Sequence, residues 1–266
     1  MMTKNYLIVG NPVDHSLSPK IHNHWFKMNN LKSFYKKELA NENELEDLIT
    51  RIKNGHLDGA NITVPFKQKI IPYLDGLSKL AEKTQSVNTL YKKDDLVLGD
   101  NTDVYGFSQS IKENKVDLKN KIALIIGAGG VVPSIISALE ALFISKIYIK
   151  NRTYENILTI KKKFNNLIPL RWDQEIECDI VINATSLGLN SEDKIEINFN
   201  MMDKQTIFYD TIYNPPMTNF LKLAENKGHK TINGKLMLLF QAQKAFNIWT
   251  GFTPEIDNNL INTLND

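Results

Sequence analysis

The segment Lys121-Ile122-Ala123-Leu124-Ile125-Ile126-Gly127-Ala128-Gly129-Gly130 limits the fold of this chain more than any other. A short, almost wholly aliphatic run of this kind reads as a strand buried on both faces, as in parallel sheets. The glycines then punctuate the chain, and apolar residues continue as a helix to about Leu142. Residues 146–150 supply the next strand, completing a β-α-β unit. Gly127-x-Gly129-x-x-Val132 in this setting has the form of a dinucleotide fingerprint. The first glycine lets the chain turn sharply, and the second lets the backbone approach a pyrophosphate. The helix N-terminus adds amide donors and the positive end of its dipole. Val132 stands where a third small residue is usual, which predicts a helix set slightly further from the strand. Pro133 loses no hydrogen bond so close to the helix start.

The second strand of such a unit discriminates between nicotinamide cofactors. A carboxylate there accepts from the ribose 2′-hydroxyl of NAD. Here the strand ends in Asn151-Arg152-Thr153, with no carboxylate. Arg152 offers a planar fork of donors suited to a phosphate, which favours NADP; the competing reading is a surface arginine. The candidate cofactor contacts are Gly127, Ala128, Gly129, Gly130, Val131, Asn151, Arg152 and Thr153. Further strands are read at 179–183, 206–209 and 230–232. Helices are read at 154–165, 218–226, 236–249 and 254–264.

The first hundred residues repeat the β-α-β plan. Strands are expected at 6–9 and 34–39 and helices at 18–29 and 42–53, which favours another mainly parallel sheet. Ser18-Pro19 is a helix-start signal, with Ser18 as the capping hydroxyl. Ile21, Trp25 and Met28 share one face of that helix. A further helix at 78–85, a hairpin of strands 87–91 and 96–99, and a helix at 104–113 follow. The third strand is read at Asn61-Ile62-Thr63-Val64. Residues two apart on a strand share a face, so Asn61 and Thr63 point one way and Ile62 and Val64 into an apolar layer. Pro65 ends the pairing, and Lys67 follows at a change of direction. The stretch reads equally as the wall of a polar pocket or as an edge strand with its polar side outward.

Composition removes several alternatives. The 266 residues are 42% apolar and 23% charged, which suits one large or two medium globular domains. The formal charge of +2 argues against nucleic-acid binding through bulk charge. Cys178 is the single cysteine, so neither a disulfide framework nor a cysteine-based zinc site can form. No apolar run approaches the roughly 20 residues of a membrane span, and the N-terminus is too short for a secretory signal. The expectation is a cytoplasmic, soluble protein without a metal. His22 and His24 lie two apart on a helix and do not share a face, so they and His15 make no metal site. Trp25, Phe240, Phe246 and Trp249 are expected in the core, and Lys161-Lys162-Lys163 on a solvated face.

The ordered motifs together resemble shikimate dehydrogenase along essentially the whole chain. They are Gly10-Asn11-Pro12-Val13-Asp14-His15-Ser16-Leu17-Ser18-Pro19, His22-Asn23, Asn61-Ile62-Thr63-Val64-Pro65-Phe66-Lys67, Val87-Asn88-Thr89 and Gly99-Asp100-Asn101-Thr102-Asp103. They continue through Gly127-Ala128-Gly129-Gly130, Asn151-Arg152-Thr153, Asn183-Ala184-Thr185-Ser186-Leu187-Gly188, residues 210–215 and residues 234–242. The resemblance implies an α/β fold: a substrate domain with a mixed, mainly parallel sheet, a Rossmann-like NADP domain, and a cleft between them. It implies domains at 1–102 plus 235–266 and at 103–234, acting as a monomer or homodimer on small molecules, with no nucleic-acid or membrane partner. The implied reaction is the reversible NADPH-dependent reduction of 3-dehydroshikimate to shikimate. Ser16 and Ser18 would hold the substrate carboxylate with Tyr213 nearby. Asn61, Thr63, Asn88, Asp103 and Gln241 would address ring hydroxyls. Thr211 and Gly234 would approach the nicotinamide; many relatives carry Met where Thr211 stands. Lys67 and Asp103 match the catalytic pair. A quinate/shikimate dehydrogenase of broader specificity and a catalytically silent shikimate sensor are the alternatives. Arg152 argues against the first, and intact Lys67 and Asp103 against the second.

Overall fold

The computed structural model describes residues 3–264. Phe107–Leu238 form one compact unit; the chain on either side of it, up to Gly106 and from Leu239 on, forms the other. Both boundaries fall inside helices, past the expected 102/103 and 234/235.

The first unit begins with β1 (Lys4–Gly10), α1 (Ser18–Met28), β2 (Ser33–Leu39), α2 (Leu45–Lys53) and β3 (Gly59–Ile62). It continues with β4 (Gly76–Leu77), α3 (Lys79–Thr84), β5 (Thr89–Lys93) and β6 (Leu96–Asp100), and this stretch ends within α4 (Asp103–Glu113), where the boundary falls. The six strands run in the order β2-β1-β3-β5-β6-β4. β1 is parallel to β2 and β3, and the β5–β6 hairpin enters antiparallel to β3. The sheet is therefore mixed. A helical crossover returns a strand parallel, whereas a tight turn can only return it antiparallel.

Strand alternation divides the packing between the faces of this sheet. Leu7, Val9, Ala60, Ile62, Leu90 and Val97 meet Leu45, Leu48, Ile49 and Ile52 from α2 in one buried cluster. Tyr6 points to the other face, where it stacks on Phe26 of α1 at 5.4 Å between ring centroids and on Trp249 at 4.7 Å. Asn61, one residue out of phase with Ala60 and Ile62, belongs to this second, aromatic face.

The second unit contains β7 (Ile122–Ile126), α5 (Val132–Ala141), β8 (Lys146–Lys150), α6 (Tyr154–Lys161) and β9 (Leu167–Leu170). β10 (Ile180–Asn183), β11 (Ile207–Asp210), α7 (Asn219–Asn226) and β12 (Lys230–Ile232) complete it. All its paired strands are parallel, in the order β12-β11-β10-β7-β8-β9. The order reverses between β7 and β10. In open sheets of this kind, ligands bind beyond the carboxyl ends of the strands at that switch point. The chain then returns through α8 (Lys235–Thr250) and α9 (Asn258–Thr263). No helix among the described residues is long and apolar enough to cross a membrane.

Several local expectations change. β3 stops at Ile62, and Val64 is 60% exposed on a turn, so Val64 does not join the apolar layer. Met28 is 58% exposed, although Trp25 and Phe26 in the same last turn of α1 are buried. Phe240 is half-buried, whereas Trp25, Phe246 and Trp249 are core. Leu17 occupies the cap position of α1, and Ser18 is the first helical residue, with no capping bond from its side chain. The Ser16 hydroxyl instead accepts from the Ser18 N–H at 3.3 Å. β9 follows α6 closely, where the sequence predicts no strand. Pro169 is tolerated there because β9 is an edge strand.

Candidate active site

In the first unit, the predicted polar residues converge because three chain segments cross at the carboxyl end of β3. The Thr63 N–H donates to Val9 O at 2.9 Å, and the Asn11 N–H donates to Val64 O at 2.9 Å. These bonds tie the end of β1 to the chain leaving β3. The Val87 N–H donates to Lys67 O at 2.8 Å, and the Ile62 N–H donates to Asn88 O at 2.9 Å. The backbones that carry Lys67 and Asn88 are thus held to one another before any side chain acts.

The side chains then close a network. The Lys67 ammonium donates to Asp103 Oδ2 at 2.6 Å, and the two side chains are only 13% and 8% exposed. Asp103 Oδ1 accepts from Asn88 Nδ2 at 2.9 Å. The Thr102 N–H donates to Asn88 Oδ1 at 2.8 Å, which turns the Asn88 amino group toward Asp103. That amino group also faces Thr102 Oγ1 at 2.9 Å and Gln241 Oε1 at 3.3 Å. Thr89 Oγ1 lies 3.1 Å from Asn88 Oδ1 and accepts from Asn61 Nδ2 at 3.1 Å. Asn61 Oδ1 accepts from the Tyr35 hydroxyl at 2.6 Å. Buried polar groups are tolerable only when paired, and here the pairing is continuous from Tyr35 to Lys67. Tyr35, Thr89 and Thr102 are buried members of the network that sequence reasoning does not select as site residues. For Thr89, register carries a signal, since Asn61 faces it across the antiparallel pair. For Tyr35, no local signal exists; its partner lies 26 residues away.

Ser18 is buried, whereas Ser16 and Thr63 are half-buried. Burial pushes the Tyr35 phenol well above its usual pKa, and a hydrogen bond with the Ser18 side chain offsets part of that rise. Behind Tyr35 lies His22, whose ring stacks on the phenol ring at 4.4 Å and 9°. Both His22 ring nitrogens are buried and unpartnered, and burial pulls its pKa down to about 3. His24 faces outward from this cluster and meets the Asp257 carboxylate at 3.2 Å.

The second unit arranges its predicted residues by backbone and space. Gly127 has φ +112°, and a Cβ there would meet Ala184 O at 2.8 Å, so only glycine lets β7 turn beside β10. The Gly127 N–H donates to Lys150 O at 2.9 Å, fixing the turn to the end of β8. Beyond it the chain opens. A Cβ on Gly129 would come no nearer than 3.9 Å to Ala184 O, and one on Gly130 would meet nothing within 4 Å. α5 begins at Val132, wholly buried, with Pro133 in its first turn. Ala128 and Val131 are half-buried beside this open stretch. An uncovered glycine loop leading into a helix N-terminus at a switch point fits a dinucleotide pyrophosphate.

At the end of β8, Asn151 Nδ2 donates to Thr153 O at 2.8 Å and shapes the loop. Arg152 is exposed and makes no ion pair among the described residues. Thr153 caps α6 by backbone position alone. Across the sheet, Asn183 Nδ2 donates to Asp210 Oδ1 at 3.0 Å and to Leu187 O at 2.9 Å. Asp210 is buried, which raises its pKa; the Thr218 hydroxyl, donating at 2.7 Å, pulls the other way. The Thr211 hydroxyl donates to Asn183 O at 3.0 Å, so this residue is held against β10. Gly234 lies against Thr211, where a Cβ would overlap the Thr211 carbonyl. Tyr213 follows on the same loop, half-buried.

The chain is similar to known proteins. Residues 8–90 match the shikimate dehydrogenase substrate binding domain, and residues 109–216 match the shikimate / quinate 5-dehydrogenase family. A shikimate dehydrogenase (NADP(+)) of Pelagibacter ubique (strain HTCC1062) is 51% identical over 263 residues, 99% of each chain. The chain belongs to the shikimate dehydrogenase family. A crystal structure of a shikimate dehydrogenase in complex with NADP+ superposes with a TM-score of 0.91 at 33% identity, covering 99% of this chain and 96% of that one. The Thermus thermophilus shikimate 5-dehydrogenase in complex with NADP(H) and shikimate gives 0.89 at 28% identity, covering 98% of each. Within the family pattern, Thr211 and Val132 are the departures read from the sequence, and the structure accommodates both: one hydrogen-bonded, one buried.

Proposed function

We propose that this protein catalyses the reversible reduction of 3-dehydroshikimate to shikimate with NADPH. The observation that carries the reading is the nearly buried Lys67–Asp103 pair at the end of the polar network. A ketone becoming an alcohol needs a proton at its oxygen, and an alcohol being oxidised must lose one. Lys67 is the group placed to do both, as ammonium in reduction and as amine in oxidation. Its charge also stabilises the oxygen while negative charge develops there. Asp103 aims the ammonium and accepts from the adjacent substrate hydroxyl. Asn61, Thr63, Asn88 and Gln241 address the remaining ring hydroxyls. Ser16 and Ser18, with Tyr213, donate hydroxyl hydrogens to the carboxylate.

NADPH, when bound, supplies the hydride. Gly127, Ala128, Gly129, Gly130 and Val131 would hold its pyrophosphate, and Asn151, Arg152 and Thr153 its 2′-phosphate. Thr211 and Gly234 would border the nicotinamide. Initial rates with shikimate and quinate, each with NADP and NAD, test the reading. Shikimate with NADP is expected to give the highest kcat/KM. Equal rates with quinate would move the protein to the broader shikimate/quinate activity, and no turnover with any pair would overturn the assignment.

A further inference from the structure

The Asn61 amide has two chemically different ends, and which end faces a ligand decides whether it accepts or donates. An amide's oxygen and nitrogen must be assigned from their partners. Here the partners leave one solution. Asn61 Nδ2 lies 2.9 Å from the backbone carbonyl of Asn88, which can only accept. A flipped amide would set two oxygens against each other. With the nitrogen turned to Asn88, Asn61 Oδ1 faces the Tyr35 hydroxyl at 2.6 Å, and that hydroxyl must donate. The phenol hydrogen is thereby committed to Asn61.

Tyr35 is placed for this by features unrelated to any ligand. It stands on β2 and reaches over β1 to β3, a span of about 10 Å at ordinary strand spacing. Asn23 grips its backbone twice, accepting from the Tyr35 N–H at 2.8 Å and donating to the Tyr35 carbonyl at 2.9 Å. Its ring is clamped against His22 at 4.4 Å and tilted on Trp249 at 6.1 Å. A rigid, fully buried phenol thus holds the amide of Asn61, 26 residues further along the chain.

We propose that Tyr35 is a positioning residue that fixes the Asn61 amide with its oxygen held by the phenol. This rests on the reading of Asn61 as a substrate contact. The ligand class it favours is a polyhydroxy ring with a hydroxyl that meets the fixed amide. Tyr35 touches neither the reacting carbonyl nor the Lys67–Asp103 pair, so its effect falls on substrate binding rather than on the chemical step.

The test is a double-mutant cycle with Y35F and N61A. Phenylalanine keeps the ring and backbone contacts and removes only the hydroxyl. In the wild-type background, Y35F is expected to raise the KM for shikimate roughly 3–10-fold, the scale of one hydrogen bond. The KM for NADP stays unchanged, and kcat changes by less than about 3-fold. In the N61A background, the same substitution should change the shikimate KM by less than about 2-fold, because the group it orients is gone. Thermal unfolding gives a second reading: Y35F should lower Tm more in the wild type than in N61A, where no stranded acceptor remains. An equal KM penalty in both backgrounds, or none in either, would overturn the role of Tyr35 alone. A normal shikimate KM in N61A would instead refute Asn61 as a substrate contact, and the proposal with it.

Discussion

The two units build their sites from opposite materials. In the first, almost every functional group is a side chain already bonded to another: Lys67 to Asp103, Asp103 to Asn88, and Asn61 to Thr89 and Tyr35. In the second, the site is an uncovered loop at Gly129 and Gly130 beside an exposed arginine. Under the proposed function, the contrast follows the tasks. Proton transfer demands groups held in place before the reaction, which a packed polar network provides. Holding a long, anionic cofactor demands room, backbone donors and a charge free to meet a phosphate. The first site should therefore fail as a whole when one member is removed, and the second contact by contact.

The largest effect should come from Lys67→Ala, with kcat reduced by about 10²–10⁴ and a modest change in the KM for shikimate. The same variant strands a buried Asp103, a class of loss that costs about 3–5 kcal/mol of stability, so urea unfolding should register it too. A near-normal kcat would remove Lys67 from the chemistry and the contrast with it. Next comes Arg152→Ala, expected to weaken NADPH by about 1.5–3 kcal/mol, the scale of a charged hydrogen bond. NADH affinity and stability should be nearly untouched. Equal losses for both cofactors in a fluorescence titration would show that Arg152 does not read the 2′-phosphate.

An effect on stability alone separates the units by acid. The fold holds His22 neutral, with its pKa near 3 rather than the usual value of about 6.5. Below about pH 6.5 the unfolded chain takes up a proton that the folded chain refuses. Stability is therefore lost as pH falls from about 6.5 toward 3, at up to about 1.4 kcal/mol per pH unit. Asp210 runs the other way. Its folded pKa is raised, so the cost of burying its charge eases as pH falls through that pKa. Hydrogen exchange, corrected for intrinsic rates, should rise in β1–β3 at a higher pH than in β7–β10. His22→Phe should narrow the gap, and earlier opening of β7–β10 would contradict the ordering.

Much of this is legible in sequence, for physical reasons. The β7 run and its glycines announce a parallel unit because an aliphatic strand and a sharp turn leave few other folds. Arg152 is legible because it stands at a fixed distance from those glycines. Lys67 and Asp103 are legible through ordered motifs, yet their pairing joins residues 36 apart, which no local pattern encodes. Ser18 reads as a cap because Ser-Pro ordinarily is one. Here Leu17 takes that position and Ser18 is the first helical residue, a choice made by tertiary packing. β3 reads too long because Val64 looks like a strand residue, while the turn at Pro65 lifts it into solvent. β9 escapes a sequence reading because its four residues include a proline.

The first unit is assembled from both ends of the described chain. Gln241 and Trp249 reside on α8, and the Trp249 indole donates to Leu90 O at 2.9 Å, across 159 residues. During synthesis β1 to β6 leave the ribosome long before the helix that completes their aromatic face. The whole of Phe107–Leu238 is made in the interval. The nascent substrate unit must therefore wait, unsealed, while the cofactor unit has all its strands and can fold first. Chaperone demand should accordingly concentrate on β1–β6, and a stop codon ahead of α8 would yield a chain able to fold around a dinucleotide but not to finish its catalytic half.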